Sequence, residues 1–133
     1  MSPDYSRYQF LDIQRRNGIA TLTLNQPDNR NAVHAEMHAE LERVWRDLGS
    51  DREVNVIVFT GAGKTFSAGG DIKRMAARFG TEEGWDHSLH IPKATHRLFE
   101  GMLEVEQPII AAVNGDAVGL GATLALFADV AII

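Results

Sequence analysis

Apolar and polar positions along this chain alternate in patterns that divide it into short elements. Residues 8–14 and 19–24 are strand-like runs, and Asn17-Gly18 between them marks a tight hairpin because both residue types tolerate positive φ. Residues 25–31 (NQPDNRN) read as a loop from their Asn, Asp and Pro content. Val33, Met37, Leu41, Val44 and Leu48 then recur at helical spacing, with Glu36, Glu42 and Arg43 off the stripe. This predicts a helix with Asn31 as its N-cap, ended by Gly49, Ser50 and Asp51.

Residues 54–60 are rich in Val and Ile, as expected of a strand buried on both faces. A glycine-rich stretch follows, and residues 71–78 read as a short helix. Residues 79–90 are polar, contain Gly and lack a period, which predicts a mobile loop. Residues 91–106 carry Leu98, Phe99, Met102 and Leu103 as the stripe of another helix. Pro108 precedes a strand at 109–113, a buried helix is expected at 119–128, and 129–133 opens a further strand. The order is hairpin, helix, strand, helix, helix, strand, helix, strand, which means α/β with a parallel component. The sequence stops within an apolar strand, so residues 1–133 are expected to be the front part of a larger domain.

Two glycine-rich turns carry the chemistry. Residues 61–72 (GAGKTFSAGGDI) and 114–123 (NGDAVGLGAT) each follow an apolar strand and open a helix. Backbone N–H groups at such a junction are unpaired and point outward. Two of them from neighbouring strands could converge on one oxygen, which is what an oxyanion hole requires.

Composition narrows the alternatives. With 13 Lys and Arg against 18 Asp and Glu the net charge is −5, and no basic block offers a nucleic-acid surface. There is no Cys, which excludes disulfides, thiolate metal sites and a Cys nucleophile. The N-terminal residues lack the apolar core of a signal peptide. No uncharged apolar run approaches the ~20 residues that span a bilayer, so the chain reads as soluble and cytoplasmic, without a membrane partner. Lys64-Thr65 resembles the end of a P-loop, but the glycine needed six residues before the Lys is Val58. Gly119-Leu120-Gly121 lacks the third glycine of a dinucleotide fingerprint, Leu124 standing in its place. His34 and His38 are four apart, yet Ala35 stands where a zinc protease has Glu, and no metal site is expected.

Three stretches, 24–32 (LNQPDNRNA), 58–72 and 108–121, resemble the enoyl-CoA hydratase/isomerase (crotonase) family in order and spacing. The resemblance implies a crotonase-like spiral of β-β-α units, incomplete at the C-terminus, with residues 1–133 as the N-terminal part of one core domain. It implies an acyl-CoA substrate, coenzyme A entering only as part of that substrate, and no separate cofactor. Carried over by position, the two oxyanion amides are those of Gly70 and Leu120. Arg30 and Lys73 match cations near the CoA phosphates, and Ala32, Ala68, Asp71 and Ile72 match residues around adenine and pantetheine. Gly69 and Gly121, which shape the two turns, and Thr123 match further substrate-binding positions. Thr123 stands where the family's hydratases place a water-activating glutamate, and a hydroxyl is a poor general base. Asp116 is a polar neighbour that could substitute, although a solvent-facing turn residue explains it as well. The expected reaction is hydration or double-bond isomerisation of an enoyl-CoA, with a non-catalytic acyl-CoA-binding or assembly subunit as the alternative. The family implies a homo-oligomer, a trimer or hexamer, when complete, and full activity is not expected of this stretch alone.

Overall fold

Each expected strand–helix junction finds a place in two parallel stacks. A computed structural model describes residues 2–133. After a 3₁₀ turn at Tyr5–Arg7, β1 (Leu11–Arg16) and β2 (Ile19–Leu24) form the hairpin, with Asn17 at φ 52° and Gly18 at φ 79°. Helix α1 is Ala35–Ser50. Then come β3 (Val56–Gly61), β4 (Thr65–Ser67), α2 (Ile72–Arg78), α3 (Glu82–Leu103), β5 (Ile109–Ala112), β6 (Asp116–Ala117), α4 (Leu120–Leu126) and β7 (Val130–Ile132).

From β3 onward the chain repeats one unit: a strand in a large sheet, a short strand in a small one, then helix. The large sheet has the order β1-β2-β3-β5-β7, parallel apart from the hairpin, and β4 pairs with β6 in parallel. This is the β-β-α spiral expected of the chain. The short strands β4 and β6 escape a periodicity reading because two or three residues cannot show a period.

The core lies between one face of the large sheet and α1 with α3. The α1 stripe Met37, Leu41, Val44 and Leu48 is fully buried, joined by Trp45. Trp45 and Phe59 meet edge to face at 5.3 Å between ring centroids, and Phe59 meets Phe66 at 5.2 Å. That geometry suits aromatic quadrupoles and ties α1 to β3 and β4. The expected two-sided burial of β3 is not found: Ile57, Phe59 and Gly61 are buried, while Val56, Val58 and Thr60 are half-buried. The helices cover one face only, so the strand alternates.

Two further expectations are corrected. Residues 79–90 are not a mobile loop from end to end, because α3 begins at Glu82 and runs 22 residues. Thr81 caps it, accepting from Gly84 N at 3.0 Å, with Glu82 and Glu83 favourably placed in the first turn. Its first half buries no apolar stripe, so the period is invisible, and Pro92 inside it removes one amide from the ladder. Asn31 is not the N-cap of α1. His34 takes that role, accepting from Met37 N at 3.3 Å.

Asn31 instead adopts φ 52°, a left-handed conformation that Asn tolerates better than most residues, and is wholly buried. Its Nδ2 donates to Ala62 O at 2.9 Å and Thr65 O at 2.8 Å, and its Oδ1 accepts from Gln26 N at 2.9 Å. Its own carbonyl accepts from Ser67 Oγ at 2.8 Å. One side chain thereby fixes the loop before α1 against the β3–β4 turn.

Truncating Phe59 to Ala should cost about 3–5 kcal/mol, the range for a buried aromatic, read as a shift in a urea unfolding curve. Replacing Asn31 by Ala removes its bonds to Gln26 N, Ala62 O and the buried Thr65 O, and adds left-handed strain. A loss of at least about 2 kcal/mol is expected in the same measurement, and a change below about 0.5 kcal/mol would mean that the asparagine clamp contributes little.

Candidate functional site

Three loops leave the carboxyl ends of adjacent parallel strands. Residues 25–34 follow β2, residues 62–71 follow β3, and residues 113–119 follow β5, with β3 between the other two. In parallel sheets that end is where ligands are held. A surface hollow lined in part by Tyr5, Arg15, Gly18 and Glu53 lies at the opposite, hairpin end of the sheet. Its Arg15 is already paired with Asp51 at 2.9 Å and Glu53 at 2.6 Å.

The first two loops are stitched by Asn31, and the second and third by Asn114. Asn114 Nδ2 donates to Gly63 O at 2.9 Å, while its Oδ1 accepts from Gly61 N at 3.1 Å and Thr60 Oγ1 at 3.3 Å. Neither asparagine's clamping role is legible from the sequence. The nearest signal is that each stands inside a motif where a purely conformational role would need only Gly.

The two glycine-rich turns meet directly. Gly69 has φ +85°, and a β-carbon built on it would lie 2.4 Å from Val118 O and 3.3 Å from Leu120 N. Gly69 N donates to Ser67 Oγ at 3.1 Å, and Gly69 O accepts from Val33 N at 2.7 Å. Ser67 O accepts in turn from Val118 N at 3.0 Å. Ser67 therefore bonds to both turns, one through its hydroxyl and the other through its carbonyl. Gly121 packs against the same residue, where a β-carbon would meet Ser67 O at 2.5 Å.

Residues Val118, Gly119, Leu120 and Gly121 form a type II′ turn. Gly119 has φ 53° and ψ −120°, and Gly121 N donates to Val118 O at 2.9 Å. In such a turn the central peptide stands across the loop and its N–H cannot bond within it. That N–H belongs to Leu120. Neither it nor Gly70 N has a hydrogen-bond partner among the described residues. Gly70 itself is half-buried and bridged to Val33.

The other residues singled out in the sequence surround these turns. Ala32 is buried, with its N–H on Asn29 O, and Ala68 donates to Arg30 O at 3.0 Å. Asp71 caps α2 by accepting from Arg74 N at 3.1 Å. Ile72 is 76% exposed on α2, and Lys73 beside it is exposed and forms no ion pair among the described residues. Arg30 pairs with Asp116 at 2.7 Å, so Asp116 is an ion-paired residue of β6 and not a free turn residue. Thr123 Oγ1 donates to Gly119 O at 3.1 Å, the back-bond typical of a helical Thr. Arg74 also reaches Glu36 at 2.9 Å. The Glu36 carboxyl is held below its ordinary range, first by its own backbone N–H, with Arg74 and His34 adding to this against partial desolvation.

Lys64 is followed by strand β4 and not by a helix, so its turn cannot cradle a phosphate as a P-loop does. His38 sits beside Glu42 at 3.1 Å on α1, and no cluster of three His, Asp or Glu able to hold a metal occurs among the described residues. No helix there is long and apolar enough to cross a membrane.

Known proteins share the sequence and fold of this chain. Residues 14–133 match the enoyl-CoA hydratase/isomerase family. A Mycobacterium tuberculosis protein named "Probable enoyl-CoA hydratase EchA14" is 43% identical over 117 residues, covering 86% of this chain and 43% of that one. The 1,2-epoxyphenylacetyl-CoA isomerase of Escherichia coli is 36% identical over 115 residues, covering 86% and 44%. The crystal structure of an enoyl-CoA hydratase/isomerase from Mycobacterium paratuberculosis superposes with a TM-score of 0.83 at 32% identity, covering 96% of this chain and 50% of that one. The chain spans about half the length of the relatives it matches. With its stacked β-β-α units and its paired glycine-rich turns, the chain belongs to the enoyl-CoA hydratase/isomerase family and carries the crotonase fold.

Proposed function

We propose that the protein binds an acyl-CoA thioester and polarises its carbonyl between the N–H groups of Gly70 and Leu120. The observation that carries this reading is the contact of the two turns, which leaves two unpaired backbone donors on neighbouring segments. As water adds to the β-carbon of a 2-enoyl thioester, or as a proton leaves the α-carbon of a 3-enoyl one, negative charge grows on the thioester oxygen. Fixed amides that need no reorganisation stabilise that charge more than water does. The relatives named as a hydratase and as an isomerase both act on CoA thioesters by their names, which supports an acyl-CoA ligand here.

Arg30 and Lys73 are the cations for the CoA phosphates in this reading. Ala32, Ala68, Asp71 and Ile72 flank the nucleotide and pantetheine. Gly69 and Gly121 hold the turns close enough for the donors to share one oxygen. Hydration or double-bond isomerisation of an enoyl-CoA is the reaction.

Thr123 is not the proton carrier, since its hydroxyl is already spent on Gly119 O and no His or Lys stands beside it in the motif. Asp71 caps α2 and Asp116 faces Arg30, so neither carboxylate is free as it stands. The second reading, an acyl-CoA-binding subunit without catalysis, keeps the donors and lacks turnover.

Leu120 is the first residue of α4, a position that accepts proline well. Leu120→Pro should thus remove one donor with little harm to the helix, whereas Leu120→Ala keeps it. The proline variant should lose about 10²–10³ in kcat on crotonyl-CoA, and the alanine variant should stay near the parent. Equal activities would sink the oxyanion assignment. Thr123→Val should keep most of the isomerisation of a 3-enoyl-CoA in steady-state kinetics. A severe loss in a folded, full-length Thr123→Val protein would make Thr123 catalytic, and no turnover of either substrate by the full-length parent alongside intact CoA binding would favour the non-catalytic reading.

A further inference from the structure

The Arg30–Asp116 ion pair joins residues 86 positions apart, one in each of two motif loops. Both backbones are fixed. Arg30 has φ 51°, donates its N–H to Pro27 O at 3.1 Å and accepts from Ala68 N at 3.0 Å. Asp116 lies in β6, in register with Thr65 of β4. Only the side chains are free to move, and they are 62% and 69% exposed. Among the described residues, Asp116 is the sole ion-pair partner of Arg30.

Such a pair is weak, since solvent and salt screen it and two side chains must be held in place. A phosphate is a stronger partner for guanidinium, carrying more charge and more acceptor oxygens than a carboxylate. The contact with Asp116 uses one guanidinium nitrogen, Nη2. An incoming phosphate must either displace the carboxylate or share the guanidinium with a like charge beside it.

We propose that Asp116 is a built-in competitor for the CoA phosphates: it occupies Arg30 while the ligand is absent and weakens the hold on CoA once it binds. This rests on the reading of Arg30 as a phosphate-facing cation. Asp116 is then a specificity-determining residue that acts on the nucleotide end of the ligand and leaves the thioester end alone. It makes binding less tight and release faster, and it makes affinity for CoA less dependent on Arg30 than a free arginine would.

The test is calorimetric titration of the protein with CoA and, separately, with pantetheine, using Asp116→Asn, Arg30→Ala and the double variant. Asp116→Asn should tighten CoA binding by about two- to five-fold at low ionic strength, less in high salt, with pantetheine unchanged. In the Arg30→Ala background the gain should vanish. Unchanged or weaker CoA binding in Asp116→Asn would overturn the proposal, as would an equal gain with pantetheine or a full gain without Arg30. If Arg30→Ala binds CoA as well as the parent does, the phosphate reading of Arg30 itself fails. Circular dichroism of each variant excludes misfolding as the source of any change.

Discussion

The approach of backbone to backbone between β4 and the β6–α4 turn is the constraint on which the site depends. Strand β4 and the residues after it bring Ser67 and Gly69 against Val118, Leu120 and Gly121, and a β-carbon on Gly69 or Gly121 would run into the facing main chain. A main chain this close to another must satisfy its polar groups across the gap, and Ser67 does so in both directions. The two amides left over are left over because the geometry has already used their neighbours. The possible donor pair is a by-product of how the spiral stacks one β-β-α unit on the next.

Single residues of the loops that carry these turns are buried like core while their neighbours stay at the surface. Asn31 is wholly buried, and its amide serves three backbone groups, while Asn114 serves the other side of the same β3–β4 turn. The bond from Asn31 to Thr65 O is buried and so costly to break, and with the other amide bonds it sets position where a short strand alone would not. The aromatic contacts of Trp45, Phe59 and Phe66 hold the sheet below them. Precision at the turns thus draws on two sources: apolar packing beneath and amide clamps at the rim.

Much of this was legible in the chain. The hairpin at Asn17-Gly18, the α1 stripe, the strands β3 and β5 and both strand–turn–helix junctions follow from period and turn chemistry. What escaped was set by tertiary context. The first half of α3 buries nothing apolar, so no period marks it, although Thr81 with Glu82 and Glu83 was a usable start signal. β4 and β6 are too short to have a pattern and exist because successive units stack. At the site, glycines announced the turns, but the partners that fix them did not announce themselves. An asparagine in an Asn-rich loop reads as loop, and only the fold shows that Asn31 clamps its own loop to the β3–β4 turn. The same holds for Asp116, whose partner Arg30 is far away in sequence.

The Gly119-Leu120-Gly121 triplet joins two glycines kept for unrelated reasons. Around Gly119 nothing lies within 4 Å of where a β-carbon would stand, so space is free and the demand comes from its torsion angles alone. Gly121 has no such torsion, yet a β-carbon there would run into Ser67. Gly119 thus carries a constraint of handedness and Gly121 one of volume. An L-residue at 119 pays in backbone rotation, which tips the Leu120 peptide away from its orientation across the turn. A residue of any size at 121 pays by pushing α4 off β4. Chain drift at the first position would redirect a dipole, and drift at the second would open a gap.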